Sequence, residues 1–440
     1  MHRGESDPAA RATVGAAAVP IRRTGVQAPP GFPAPPAGPP QRPGPPRPPA
    51  EASVRAVPRR GHLGPLSLAQ ILVAEAAVLV VVAALTRGPV PTLIAVAVAA
   101  ALLLIFFARR QDRWWLEHRQ VARDHQRRRS ARLDTRAGPV LAALRTVAPG
   151  LTVRDVTGPE ESGAAVGVAR DEAGWFSVVV LEPGSPVQPE GAPIPLDSLL
   201  GLVTATEQPG VVLELVTHTV PAPSPDVHPA SPAGSSYRQL VEAVSPAPVP
   251  AHRESSISVR VDARVLAEAL LDHTADPEAA ATLVAGLARK VATSLRRLGV
   301  TGRVLDAAGL LASLARSCDV ESPAGLDEAW THWRSARLVH RTYWLRTWPA
   351  SATEIGSLFA WAATAPAAQT SVALVLTAGE HDDVAVRAFI RLATRPDADL
   401  AALDRVLLEG VRRAGAELQP MDGEHGPAAY ATAPTGGGAG

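Results

Sequence analysis

The densest group of potential ligands in this 440-residue chain is Glu380-His381-Asp382-Asp383, set between two apolar stretches. Four such side chains could begin a metal site if another ligand converged on them from elsewhere in the fold. A hydrophilic turn between two strands uses the same letters, and we take that reading, so no metal is expected. His340 and Arg341 stand on an alternating, tryptophan-rich segment. They could line a cleft, but the alternation of an amphipathic strand accounts for them better. Asp197 and Glu214 could be posed as a general acid/base pair, but nothing in the sequence fixes their separation.

The common catalytic signatures are missing. The only lysine, Lys290, lies in a helical pattern and no G-x-x-x-x-G-K-[ST] surrounds it, which excludes phosphate-loop ATPases. Neither H-E-x-x-H nor G-x-S-x-G occurs. Glycines cluster at 435–440, where no strand–helix unit follows to make a dinucleotide site, and that end reads as frayed. The single Cys318 rules out internal disulfides and multi-cysteine zinc. It continues the apolar helical pattern of 310–317 and reads as an inert, partly buried thiol. No catalytic residue, cofactor or small-molecule substrate is expected.

Two apolar runs frame the chain, 66–85 and 91–108, joined by Thr86-Arg87-Gly88-Pro89-Val90. A helix of roughly 20 residues covers about the 30 Å hydrocarbon layer, so the pair reads as a transmembrane hairpin over 63–108. Residues 1–137 hold 20 Arg against 8 acidic residues, and the rest of the chain is acidic. Arg55, Arg59 and Arg60 lie before the hairpin, and Arg109, Arg110, Arg113, Arg119, Arg123 and Arg127 to Arg129 follow it. The positive-inside rule then puts both termini in the cytoplasm of a two-span protein of the cell membrane. Anionic lipid beside these arginines explains them without nucleic acid. Glu75 interrupts the first span and should face protein instead of lipid, as a proton relay or a candidate contact to a partner helix; a protonated or snorkelling side chain near one leaflet is the plainer reading. Ala74, Ala77, Ala95 and Ala99 allow the two helices to pack closely.

Composition divides the remainder. Residues 1–62 are Pro-rich and read as a disordered tail, and 109–137 as a basic juxtamembrane helix with Trp114 and Trp115 at the interface. A cytoplasmic mixed α/β domain of the α+β class follows, with halves at 138–219 and 251–418, a Pro/Ser-rich linker at 220–250 and a flexible tail at 419–440. Strand, proline, helix and strand follow one another from Trp175 and again from Tyr343, which suggests two similar halves. The second half gathers Trp330, Trp333, Tyr343, Trp344, Trp348, Phe359 and Trp361, mostly as core. Any exposed part of that group would dock protein, with Trp344, Trp348 and Pro349 as partner-contact candidates.

The hairpin, the arginine-rich approach to an α/β body and the segment from Leu338 through Trp344, Trp348 and Pro349 resemble the EccE family of type VII (ESX) secretion systems in actinobacteria. The resemblance covers about 63–418 and implies a non-catalytic scaffold at the periphery of an inner-membrane complex. Its partners would be EccB-, EccC- and EccD-like subunits, with the ATPase a separate chain. The alternative is a membrane-tethered enzyme of transferase type with a degenerate α/β fold, resting on the mixed pattern and scattered carboxylates. A third reading is an adaptor that recruits cytoplasmic ligands.

Overall fold

A computed structural model describes residues 16–20, 55–57, 62–63, 66–107, 109–110, 113–130, 137–157, 164–182, 196–206, 208, 210–221, 231–244, 250–263, 277–378 and 383–438. Helices α1 (Leu68–Leu85) and α2 (Pro89–Phe107) lie side by side. Their small residues meet, with Ala77 and Ala99 buried and Ala74 and Ala95 half-buried. Leu72, Val78, Leu85, Leu93, Ile94 and Leu104 point outward and stay exposed. Thr92 closes the turn by donating its hydroxyl to Ala84 O at 3.0 Å and Gly88 O at 2.8 Å.

One expectation finds no support here and another is corrected. Among the described residues no helix is long and apolar enough to cross a membrane. The side chains described in the hairpin run over 71–85 and 89–104, which is about 22–24 Å of helix. Leu66–Ser67 pairs with His62–Leu63 as a short ladder, so the first helix begins later than 66. The basic segment 109–137 is not one helix. Arg109–Arg110 pairs with Arg113–Trp114, and only then does α3 (Trp115–Arg129) begin, which puts the adjacent tryptophans on different elements.

The body repeats one plan. After α4 (Pro139–Leu144), the hairpin β1 (Thr152–Val156) and β2 (Val166–Arg170) leads into a first unit. That unit is β3 (Gly174–Leu181), α5 (Leu196–Thr204), β4 (Val211–Pro221), an inserted helix α6 (Pro232–Val244), β5 (Pro250–Asp262), α7 (Pro277–Arg297) and β6 (Gly302–Val304). Then α8 (Ala307–Cys318), β7 (Asp327–Glu328) and β8 (Trp333–Arg334) lead to the second. It consists of β9 (Val339–Thr347), α9 (Ala352–Ala362), β10 (Gln369–Ala378), β11 (Asp383–Thr394), α10 (Leu400–Arg413) and β12 (Glu417–Pro420), and α11 (His425–Ala431) follows.

Without α6, each unit is a βαββαβ motif, with strand orders β6-β3-β5-β4 and β12-β9-β11-β10. The units join where β4 pairs antiparallel with β10, from Val212↔Thr377 to Thr219↔Thr370, giving one 14-stranded sheet. The Pro/Ser-rich linker is therefore an insertion between β4 and β5, where the second unit needs only residues 379–382. Ala16–Pro20 and Arg55–Val57, inside the stretch expected to be disordered, also join this sheet at β11. The rest of that tail, the helix expected at 263–271 and the Glu380-His381-Asp382 cluster lie outside the described residues.

Strand alternation sorts the sheet into two faces. Leu213, Ile257, Val259, Leu374, Val386 and Ile390 meet the apolar stripes of α5, α7, α9 and α10 in the larger core. Phe176 and Val178 point the other way, against α4, α8 and α11. Each such fully buried side chain contributes roughly 1.5–3 kcal/mol. Ser351 and Glu354 form a reciprocal capping box that starts α9. The C-terminal expectation fails here as well. Residues 419–438 are not a flexible tail, because β12 ends and α11 forms within them and 432–438 are buried against the sheet.

Candidate functional site

One face of α3 grips the body. His118 and His125 meet the Trp330 indole edge-on, with ring centroids 5.1 and 5.6 Å away. Arg128 holds Glu328 with both prongs, Nε to Oε2 at 3.0 Å and Nη2 to Oε1 at 2.9 Å. Its Nη2 also donates to Gly423 O at 2.6 Å. Positions 118, 121, 125 and 128 share one side of a helix, so a single face makes every contact. Gly423 has φ +79°, and a Cβ there would lie 2.6 Å from Trp330 and 2.8 Å from Val121. Only glycine lets α3, the Trp330 loop and the C-terminal segment close together. The periodicity of α3 exposes this face in the sequence, but nothing there links Arg128 to Glu328.

The C-terminal segment then seals the polar side of the sheet. Glu214 Oε2 accepts the backbone N–H groups of Thr435, Gly436 and Gly437 at 3.0, 2.6 and 3.0 Å, and the Ser258 hydroxyl at 3.2 Å. Gly436 and Gly437 have φ near +80°, a conformation that turns successive N–H groups toward one anion. Burial pushes the Glu214 carboxyl up to about 7, against the downward pull of those hydrogen bonds. Beside it, Arg260 pairs with Asp171 through Nη1–Oδ1 at 2.7 Å and Nη2–Oδ2 at 2.6 Å. Arg260 Nε donates to Thr435 O at 2.7 Å, and the Tyr430 hydroxyl donates to Asp171 at 2.9 Å.

A second buried arginine ties the layers together. Arg391 donates to Ala429 O at 3.0 Å, Ser317 O at 2.7 Å and Ser371 Oγ at 3.0 Å. Ser371 Oγ, which accepts from Arg391, also shares a 2.7 Å hydrogen bond with His218 Nδ1, its direction set by the imidazole tautomer. Burial, and secondarily Arg391, lowers the His218 pKa to about 3 and keeps the ring neutral. A serine beside a histidine is a nucleophile's arrangement, yet here Ser317 O and Ala429 O close over the shared arginine. His340 Nε2 is 2.9 Å from Ser335 Oγ, which donates to Asp319 at 2.6 Å. Its ring packs on Trp333, and burial keeps it neutral.

The residues singled out in the sequence scatter across this architecture. Glu75 is exposed on α1. Trp344 is only 8% exposed, on the polar side of the sheet among Val212, Phe389 and Met421. Trp348 stacks edge-on with Phe359 at 6.4 Å, and Pro349 is buried beside it, so both close the turn into α9. The chain itself covers both Trp344 and Pro349, one on an inward side of its strand and the other in a packed corner. Asp197 is exposed on α5 and Glu214 lies on the opposite side of the sheet, so they form no pair. Arg341 pairs with Asp404 and lies 4.0 Å from Asp422. Cys318 is buried, which pushes its thiol up.

Among the described residues no three His, Cys, Asp or Glu side chains are grouped to hold a metal. A cleft of about 210 Å³ lies at the sheet edge, lined by Thr152, Arg154, Val168, Arg170, Trp175 and Glu278. Arg154 pairs with Glu278 there, and the Arg170 guanidinium lies 5.0 Å over the Trp175 ring.

Residues 249–345 match the family described as "EccE: Putative type VII ESX secretion system translocon, EccE". The match runs from the insertion's end through α7 and α8 into β9. It is narrower than the 63–418 expected, and Trp348-Pro349 falls just beyond it. No curated protein matches the chain.

Proposed function

We propose that this chain, similar to the EccE family over residues 249–345, is a non-catalytic structural subunit of a type VII secretion complex, anchored in the inner membrane by α1 and α2. Their outward Leu, Val and Ile side chains need an apolar cover larger than water-facing proteins leave bare. Both termini lie in the cytoplasm, and Glu75 faces a helix of a partner subunit.

The observation that carries the reading is the joint. A helix that starts beside the hairpin is fixed along its length to the family-matching body, which is what a scaffold needs and an independent enzyme does not. Asp197 and Glu214 lie on opposite sides of the sheet and give the transferase alternative no acid/base pair.

Purification of the tagged full chain from native membranes in mild detergent tests this. EccB-, EccC- or EccD-like subunits should accompany it in fixed ratio. Isolation of the chain alone, under conditions that keep those subunits together, would overturn the proposal.

A further inference from the structure

Arg119, Arg123 and Arg127 recur every four residues along α3, on the side opposite His118, Val121, His125 and Arg128. All three are exposed, with Gln120 and Gln126 beside them, also exposed. Of the carboxylates of the helix, Glu117 falls on the body's side of the wheel and is half-buried, whereas Asp124 lies at the flank of the stripe with its side chain 45% exposed. Asp124 reaches Arg127 at only 3.4 Å with both side chains largely in solvent, a weak contact. Because the opposite face is clamped, the cationic stripe points permanently outward.

We propose that this stripe binds anionic phospholipid headgroups, each guanidinium donating to phosphodiester oxygens. The proposal rests on the membrane reading above and narrows its general arginine–lipid attraction to three residues on one helix face. Position selects lipid over an acidic protein. The start of α3 packs against α2, so the stripe begins within about a Debye length of any headgroup layer the hairpin enters. Trp115 lies 5.1 Å beneath the Arg119 guanidinium, the aromatic–cation pairing suited to that interface.

The test uses the full chain in detergent, titrated with fluorescent phosphatidylglycerol and with fluorescent phosphatidylcholine. The wild type should prefer phosphatidylglycerol, and R119Q/R123Q/R127Q should bind it about a hundredfold more weakly, at roughly fivefold per arginine. R127Q alone should lose about fivefold and controls for folding of the triple variant. Carbonate extraction of native membranes reports separately on the hairpin. An embedded chain without lipid preference sinks the stripe and leaves the anchor standing, and a chain released by carbonate sinks both. A triple variant that keeps its lipid preference but loses a secretion subunit overturns the proposal in favour of an acidic protein surface.

Discussion

Glu214 and Gly436, 222 positions apart, are joined by a 2.6 Å hydrogen bond from the glycine N–H to the carboxylate. It belongs to the set of three consecutive N–H groups that holds the C-terminal segment on the sheet. The carboxylate carries a cost there, because burial raises its pKa from 4.5 to about 7. A folded state that binds the proton more tightly than the unfolded one loses stability as pH rises from about 4.5 to about 7, and is level above that. Wild type minus E214Q should therefore fall by up to about 3 kcal/mol across this window in urea unfolding. A difference equal at pH 5 and pH 7.5 contradicts the assignment.

His218 acts in the opposite direction. Buried and held neutral, it resists protonation until about pH 3, whereas the unfolded chain takes the proton near 6.5. Stability is thus lost as pH falls below 6.5, and His340 and His425 add to that loss through their own burial. H218N should reduce the pH slope of unfolding between pH 4 and 6 by about one proton. An unchanged slope would show that His218 is protonated in the fold.

Gly436 to alanine should loosen the end of the chain. The backbone there has φ +80°, and a Cβ would meet the Arg260 Cβ at 2.5 Å. Left-handed strain plus overpacking costs about 2–4 kcal/mol. Limited proteolysis should then cut after α11 in G436A and spare the wild type. Equal resistance would mean that the segment tolerates the side chain.

The sequence was legible where one period dominates. Residues 372–377 and 384–393 are mostly apolar runs of strand length, α7 keeps its Leu283, Leu287, Val291 and Leu295 stripe, and the repeated order from Trp175 and Tyr343 matches the first strand–helix–strand of each βαββαβ unit, although the units divide after β6 and not at 220–250. It was opaque where a segment depends on distant partners. Gly436 and Gly437 look like a frayed end because the anion they enclose, Glu214, comes from a strand more than two hundred positions earlier. Trp344 and Pro349 look available for docking because their cover, Met421 for the tryptophan and a packed corner for the proline, has no local signature. The joint was hidden for the same reason, since Arg128 read as one more juxtamembrane charge.

Arg128 and Glu328 should be coupled energetically. Both side chains are mostly buried, so losing either strands its partner's charge. A double-mutant cycle with R128A and E328A should give an interaction of about 1–3 kcal/mol. Additive single effects would show that α3 is not fixed to the body by this pair.

The central claim is that a helical hairpin holds this body against the cytoplasmic side of a membrane. A reporter fused after Gly440 that is active only in the cytoplasm, read in cells alongside membrane fractionation, tests it most directly. The account predicts cytoplasmic activity in the membrane fraction. Activity outside the cell, or a chain recovered in the soluble fraction, would contradict it.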